Sequence, residues 1–217
     1  MLVAAAAVLL ALPATLAAEK PVKVVVLGDS LSAGFQLTAD ESFPAQLERL
    51  LKAKGLAVEV VNAGVSGDTS AGGLSRLDWS VPQGTDAVIV ELGANDMLRG
   101  IEPKLTRASL EQIIGRLRAR GIEVLLCGML ASPNLGRDYA TRFNAIYSDL
   151  AAVSDVTFYP FFLDGIVGDR KLNQSDGLHP TAAGVAVIVT RILPRVEDLL
   201  ARVRAKRHAD TPLSQTR

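Results

Sequence analysis

The stretch Val22-Lys23-Val24-Val25-Val26-Leu27-Gly28-Asp29-Ser30-Leu31-Ser32-Ala33-Gly34 decides the fold. Its first half is apolar and β-branched, the composition of a strand buried on both faces of a parallel sheet. It stops at Gly-Asp-Ser and passes into small and apolar residues. Such a strand end delivers one side chain, here the Ser30 hydroxyl, to the carboxyl edge of the sheet, where open α/β folds bind their ligands. Ser30 is therefore a candidate nucleophile, and every other segment bears on whether it has the partners a nucleophile needs.

Working outward, apolar strands alternate with amphipathic helices from Pro21 onward. Phe43, Leu47, Leu50 and Leu51 fall on one helical face, with Gly55 as the stop. Strands are expected over residues 57–62, 86–92 and 122–128, with a weaker one over 156–159. Further helices are marked by Leu110, Ile113, Ile114 and Leu117, by Phe143, Ile146, Tyr147 and Leu150, and by a last run from near Pro180 through Val185, Ile188, Ile192, Val196 and Leu199. This alternation implies right-handed crossovers and a mainly parallel sheet of about five strands covered on both faces, a three-layer α/β/α domain. No repeat or linker splits it, so one domain is expected over residues 19–200.

Composition narrows the function classes. The chain has 217 residues and no formal net charge, but the end beyond Leu200 carries Arg202, Arg204, Lys206, Arg207 and Arg217 against Asp210. The body is correspondingly acidic, which argues against a nucleic-acid partner. The basic segment 201–217 is expected to be a solvated, disordered tail. Cys127, the single cysteine, lies in an apolar run and reads as a small buried hydrophobe. With only His179 and His208 beside it, no Cys/His metal cluster is implied. Residues 1–18, an apolar Ala- and Leu-rich run broken by Pro13 and followed by small residues, read as an export signal, although no Lys or Arg precedes the run. A periplasmic or secreted protein without a stable membrane span, monomeric, is expected.

The polar residues collect at strand ends. Gly28-Asp29-Ser30, Ser66-Gly67-Asp68 and Gly93-Ala94-Asn95-Asp96 each follow one of the first three strands, and Ser175-Asp176-Gly177-Leu178-His179-Pro180 precedes the last helix. Parallel strands bring the first three to one edge. Nucleophilic acyl transfer needs a hydroxyl beside a base, a carboxylate that fixes the base's tautomer, and donors for a developing oxyanion. His179 is the only histidine within the domain, and Asp176 is close enough in a loop to reach its Nδ1, leaving Nε2 for Ser30. The residue before a proline avoids the helical region, which puts His179 at a loop-to-helix junction. The Ser30 N–H, the Gly67 N–H and the Asn95 amide are the candidate oxyanion donors. Taken singly, each has a structural explanation: a capping serine, a turn asparagine, a glycine at positive φ, a capping aspartate before a helix. Their joint occurrence on these loops favours the chemical reading. Asp29, Asp68 and Asp96 are expected to support loop geometry only. The glycines fit neither a phosphate-binding loop nor a dinucleotide fingerprint.

The blocks Gly28-Asp29-Ser30-Leu31-Ser32-Ala33-Gly34, Gly67, Gly93-Ala94-Asn95-Asp96 and Asp176-Gly177-Leu178-His179-Pro180 resemble the SGNH or GDSL hydrolases over about residues 22–193. Residues 62–74 and 91–100 are similar to the thioesterase I, protease I and lysophospholipase L1 group. Residues 128–136 look more like that group's arylesterases. The resemblance implies a flavodoxin-like fold and a serine esterase acting on carboxylic esters or thioesters without metal or organic cofactor. It also implies a Ser30, His179 and Asp176 triad and an oxyanion hole of Ser30, Gly67 and Asn95. Leu130, Pro133 and Leu135 would line the acyl or leaving-group side. A carbohydrate acetylesterase shares the same blocks. A non-catalytic binding domain on this fold would be expected to have lost one of them.

Overall fold

The structure, a computed structural model, describes residues 20–210. The expected export signal over residues 1–18 lies outside that range. In chain order, β1 (Val22–Gly28) leads into α1 (Ser30–Ala33) and, after a 3-10 turn, α2 (Phe43–Ala53). β2 (Val58–Gly64) is followed by α3 (Ser70–Ser75) and α4 (Leu77–Ser80). β3 (Ala87–Glu91) precedes α5 (Ala94–Leu98) and α6 (Pro103–Ala119). β4 (Glu123–Cys127) passes through a 3-10 turn at Pro133–Leu135 into α7 (Arg137–Ser154). β5 (Thr157–Tyr159) and α8 (Ala182–Asp210) complete the domain.

The five strands are parallel and lie in the order β2-β1-β3-β4-β5. That is the flavodoxin-like order, whose direction of winding reverses between β1 and β3. Helices α1, α2 and α8 cover one face, while α3, α6 and α7 pack together on the other. The β-branched run is the centre of this arrangement: Val24, Val25, Val26 and Leu27 are wholly buried, as are Val88, Ile89 and Val90 beside them. Removing all of that apolar surface from water is the main stabilising term, at about 1.5–3 kcal/mol per fully buried aliphatic side chain.

Register positions the site. Gly28, the last residue of β1, lies opposite Gly64 at the end of β2 and Glu91 at the end of β3. Three strands thus finish level with one another, and the loops that carry Ser30, Gly67 and Asn95 leave the sheet side by side.

One expectation is corrected. Residues 201–210 are not a solvated tail, because α8 continues to Asp210, while the rest of the expected tail lies outside the described residues. Val196, Leu199, Leu200 and Val203 extend its buried stripe at helical spacing. Three of the basic residues grip acceptors on the body. Arg202 reaches Glu123 and Asp155, Lys206 reaches the Gly121 carbonyl, and Arg207 reaches Asp86 and the Lys20 carbonyl. Charge complementarity with the N-terminal edge of the sheet, rather than solvation, explains the basic run.

Candidate active site

Ser30 is held at its post by Asp29. The Asp29 side chain caps α1, accepting the Leu31 N–H through Oδ1 at 3.0 Å, so the chain turns into helix one residue before the serine. Gly28 is required by close approach: a Cβ there would lie 2.1 Å from Ser32 Oγ and 2.7 Å from Glu91 Oε2.

From the far end of the domain, His179 meets this serine. Its Nε2 is 2.9 Å from Ser30 Oγ, and its Nδ1 is 2.7 Å from Asp176 Oδ2. The other oxygen, Asp176 Oδ1, accepts the N–H groups of Leu178 and His179 at 2.9 and 3.0 Å. These two backbone donors, with the imidazole, hold the Asp176 carboxyl down at about 2. An ionised Asp176 requires a proton on Nδ1, which leaves the Nε2 lone pair facing Ser30 Oγ. The loop is fixed from outside as well. Gln174 Nε2 donates to the Phe35 and Pro180 carbonyls, and the Phe35 ring lies 4.5 Å from the imidazole, centroid to centroid. Helix α8 begins two residues after Pro180, so His179 does sit at a loop-to-helix junction.

The opposite wall is the turn over residues 65–68. Gly67 has φ +84°, a left-handed conformation that glycine adopts without strain. The Asp68 N–H closes the turn on the Val65 carbonyl at 3.1 Å. Among the described residues, the Ser30 and Gly67 N–H groups have no backbone acceptor. The Asn95 amide is differently placed. Its Nδ2 donates to Asp29 Oδ2 at 3.0 Å and to the Asp68 carbonyl at 2.9 Å, so both of its hydrogens are directed at protein acceptors.

The three aspartates expected to serve loop geometry do so. Asp29 caps α1 and anchors Asn95. Asp68 accepts Arg76 Nε at 2.5 Å. Asp96 accepts the Ser70 N–H and hydroxyl and the Thr106 hydroxyl, tying α5 to α3 and α6.

Three residues that support the site escaped the sequence reading. Arg76, buried under the loops, donates to the Gly28 carbonyl at 2.9 Å, the Ala63 carbonyl at 2.7 Å and the Ser80 hydroxyl, besides Asp68. It joins the ends of β1 and β2 to the Gly67 turn. Arg99 donates Nη2 to the Gly67 carbonyl at 2.7 Å. Glu91, the last residue of β3, is fully buried beneath Asp29, whose N–H points to its Oε2 at 3.4 Å. Burial, then the Asp29 charge, pushes the Glu91 carboxyl well above the usual range, and its Oε1 has no partner. The neutral acid is the form that such a site tolerates. Burial likewise raises Asp29 to about 6, against the Leu31 N–H and the Asn95 amide, which favour its charge. A glutamate between Val90 and Leu92 in an otherwise apolar strand was the visible signal for this pair.

Leu130, Pro133 and Leu135 lie on the loop that leaves β4, at the same edge of the sheet as the serine. Leu130 is exposed, as are Val65, Leu98 and Leu178, each on a loop or short helix beyond a strand end or within the loop that carries His179. Apolar side chains are thus presented to solvent around the edge where Ser30 emerges. Cys127 is fully buried at the end of β4, where desolvation holds its thiol protonated.

Residues 26–187 match the GDSL-like Lipase/Acylhydrolase family. The chain belongs to this family. Among curated GDSL relatives, the esterase TesA of Pseudomonas aeruginosa is 38% identical, over 82% of this chain and 89% of its own. The arylesterase of Vibrio mimicus is 40% identical, over 76% and 82%. The thioesterase 1/protease 1/lysophospholipase L1 of Escherichia coli K12 is 42% identical, over 72% and 74%. A crystal structure of TesA superposes with a TM-score of 0.78 at 37% identity, covering 82% of this chain and 99% of that one. The GDSL resemblance and the α/β/α fold expected from the four sequence blocks both hold.

Proposed function

We propose that this GDSL family member is a serine esterase that cleaves carboxylic esters or thioesters through an acyl-enzyme on Ser30. The observation that carries the reading is the continuous relay from Asp176 Oδ2 to His179 Nδ1 at 2.7 Å and from His179 Nε2 to Ser30 Oγ at 2.9 Å. In this mechanism Nε2 takes the hydroxyl proton as Oγ adds to the substrate carbonyl, and Asp176 stabilises the resulting imidazolium. The carbonyl oxygen, now negative, lies against the N–H groups of Ser30 and Gly67. Asn95 contributes as the third donor by sharing an N–H now directed at Asp29 or Asp68. The imidazolium returns its proton to the departing alcohol or thiol. Water, deprotonated by the same nitrogen, then adds to the acyl carbonyl, and its collapse frees the acid and Ser30. No step needs a metal or organic cofactor.

Leu130, Pro133 and Leu135, with the other apolar side chains at this edge, are assigned to the substrate's acyl or leaving group. The names of the curated relatives support aryl esters, acyl thioesters and lysophospholipids as the substrates to try. The apolar leader over residues 1–18 supports export to the periplasm or medium. Among the described residues, no helix is long and apolar enough to cross a membrane. A panel of an aryl acetate, an acyl-CoA, a lysophospholipid and an acetylated sugar, run with wild type and Ser30→Ala, tests the reading. Ser30-dependent turnover of the first three classes is expected. Activity confined to the acetylated sugar would assign a carbohydrate acetylesterase instead.

A further inference from the structure

Gly67 can serve as an oxyanion donor only while its peptide keeps one orientation, and a glycine in an exposed turn cannot enforce that by itself. The turn is held from α5. Asn95 Nδ2 donates to the Asp68 carbonyl at 2.9 Å, and Arg99 Nη2 donates to the Gly67 carbonyl at 2.7 Å. The two side chains stand four residues apart, and the Arg99 N–H bonds back to the Asn95 carbonyl at 3.1 Å, so they project from the same side of one helical turn. Consecutive carbonyls of the turn are therefore gripped by consecutive side chains of one face.

Arg99 has no carboxylate within ion-pair distance among the described residues, and outside residues 66–68 its terminal nitrogen, at 3.8 Å, is the nearest atom to the place a Gly67 Cβ would occupy. Burial does not account for its position, because the residue is exposed. What the guanidinium does touch is the carbonyl of the oxyanion glycine.

We propose that Arg99 is a positioning residue of the oxyanion hole. By holding the Gly67 carbonyl, which belongs to the Gly67–Asp68 peptide, it limits rotation about the Gly67 φ and ψ and so keeps the N–H of the preceding Ser66–Gly67 peptide aimed at the substrate's carbonyl oxygen. The inference rests on the esterase reading above. A charge-assisted hydrogen bond is among the stronger restraints a side chain offers a loop. Its loss should be felt where the oxyanion forms, in the transition state, and not in ground-state binding.

The test uses the full chain and a neutral aryl acetate, with Arg99→Met, Arg99→Lys and Ser30→Ala variants. Removing an oxyanion donor outright costs on the order of 10²–10³ in kcat, and loosening one should cost less, about tenfold. Arg99→Met is expected to lower kcat by that factor with KM unchanged, and to weaken an uncharged trifluoromethyl ketone inhibitor in proportion. Arg99→Lys should recover most of both, and the thermal midpoints should coincide with wild type. Unchanged kcat in Arg99→Met would overturn the proposal. So would a loss confined to the KM of an anionic substrate such as an acyl-CoA, which would make the guanidinium a reader of substrate charge. Wild-type turnover that survives Ser30→Ala would overturn the esterase reading itself, and this inference with it.

Discussion

Asp29 and Asn95, 66 residues apart, are joined by a 3.0 Å hydrogen bond from the asparagine amide to the carboxyl group that caps the helix beginning at Ser30. The bond ties the end of β1 to the end of β3 across the point where the sheet reverses its winding. Ser30 and Asn95, the proposed nucleophile and third oxyanion donor, are thereby held by one buried group.

That group titrates in an accessible range. Burial raises Asp29 from the usual 3.8 to about 6, so the folded protein binds this proton more tightly than the unfolded chain. Asp29 contributes stability below pH ~4 that is lost as pH rises through about 6. Asp29→Asn has no charge to bury. Its melting temperature relative to wild type should therefore rise between pH 4 and pH 8. A difference independent of pH would show that Asp29 is ionised at no cost.

Arg76 is 5% exposed and serves the ends of two strands and the Gly67 turn at once. Arg76→Met keeps the bulk but strands Asp68 and two main-chain carbonyls. Breaking a buried pair from one side costs about 3–5 kcal/mol, which in a domain of this size lowers the melting temperature by roughly 10 °C. Differential scanning calorimetry of the variant measures this. A shift of a degree or two would mean that water replaces the guanidinium.

Truncation after Ala201 tests the helical reading of the C-terminal segment. The deletion exposes the site of Val203 and removes the Arg207 to Asp86 contact at 2.8 Å. One buried valine and partly exposed ion pairs together give about 2–3 kcal/mol. A denaturant midpoint identical to that of the full chain would restore the disordered tail.

Much of the candidate site was legible because its residues are placed by local sequence. Ser30, Gly67 and Asn95 each follow an apolar strand, and a parallel sheet with level strand ends can only gather them at one edge. The Asp176 and His179 spacing fits within a single loop. What stayed hidden depends on contacts between distant segments. Arg76 and Arg99 are ordinary basic residues in sequence, and only the folded loops show that one fills the space under the Gly67 turn and the other reaches over it. The tail was misread for a different reason. Five basic residues outweighed the quieter spacing of Val196, Leu199, Leu200 and Val203, and the acceptors for Arg202 and Arg207 lie on Glu123, Asp155 and Asp86, far away in sequence.

The claim on which the rest depends is that Ser30 becomes covalently acylated. Intact-mass and peptide analysis after exposure to a fluorophosphonate ester, which adds to activated serines, tests it alongside aryl acetate turnover. The account predicts one adduct per chain on the peptide containing Ser30, with loss of activity in step. Ser30→Ala should be unlabelled, inactive and folded. Labelling at another residue, or an Ser30→Ala protein that still turns over the aryl ester at the wild-type rate, would contradict it.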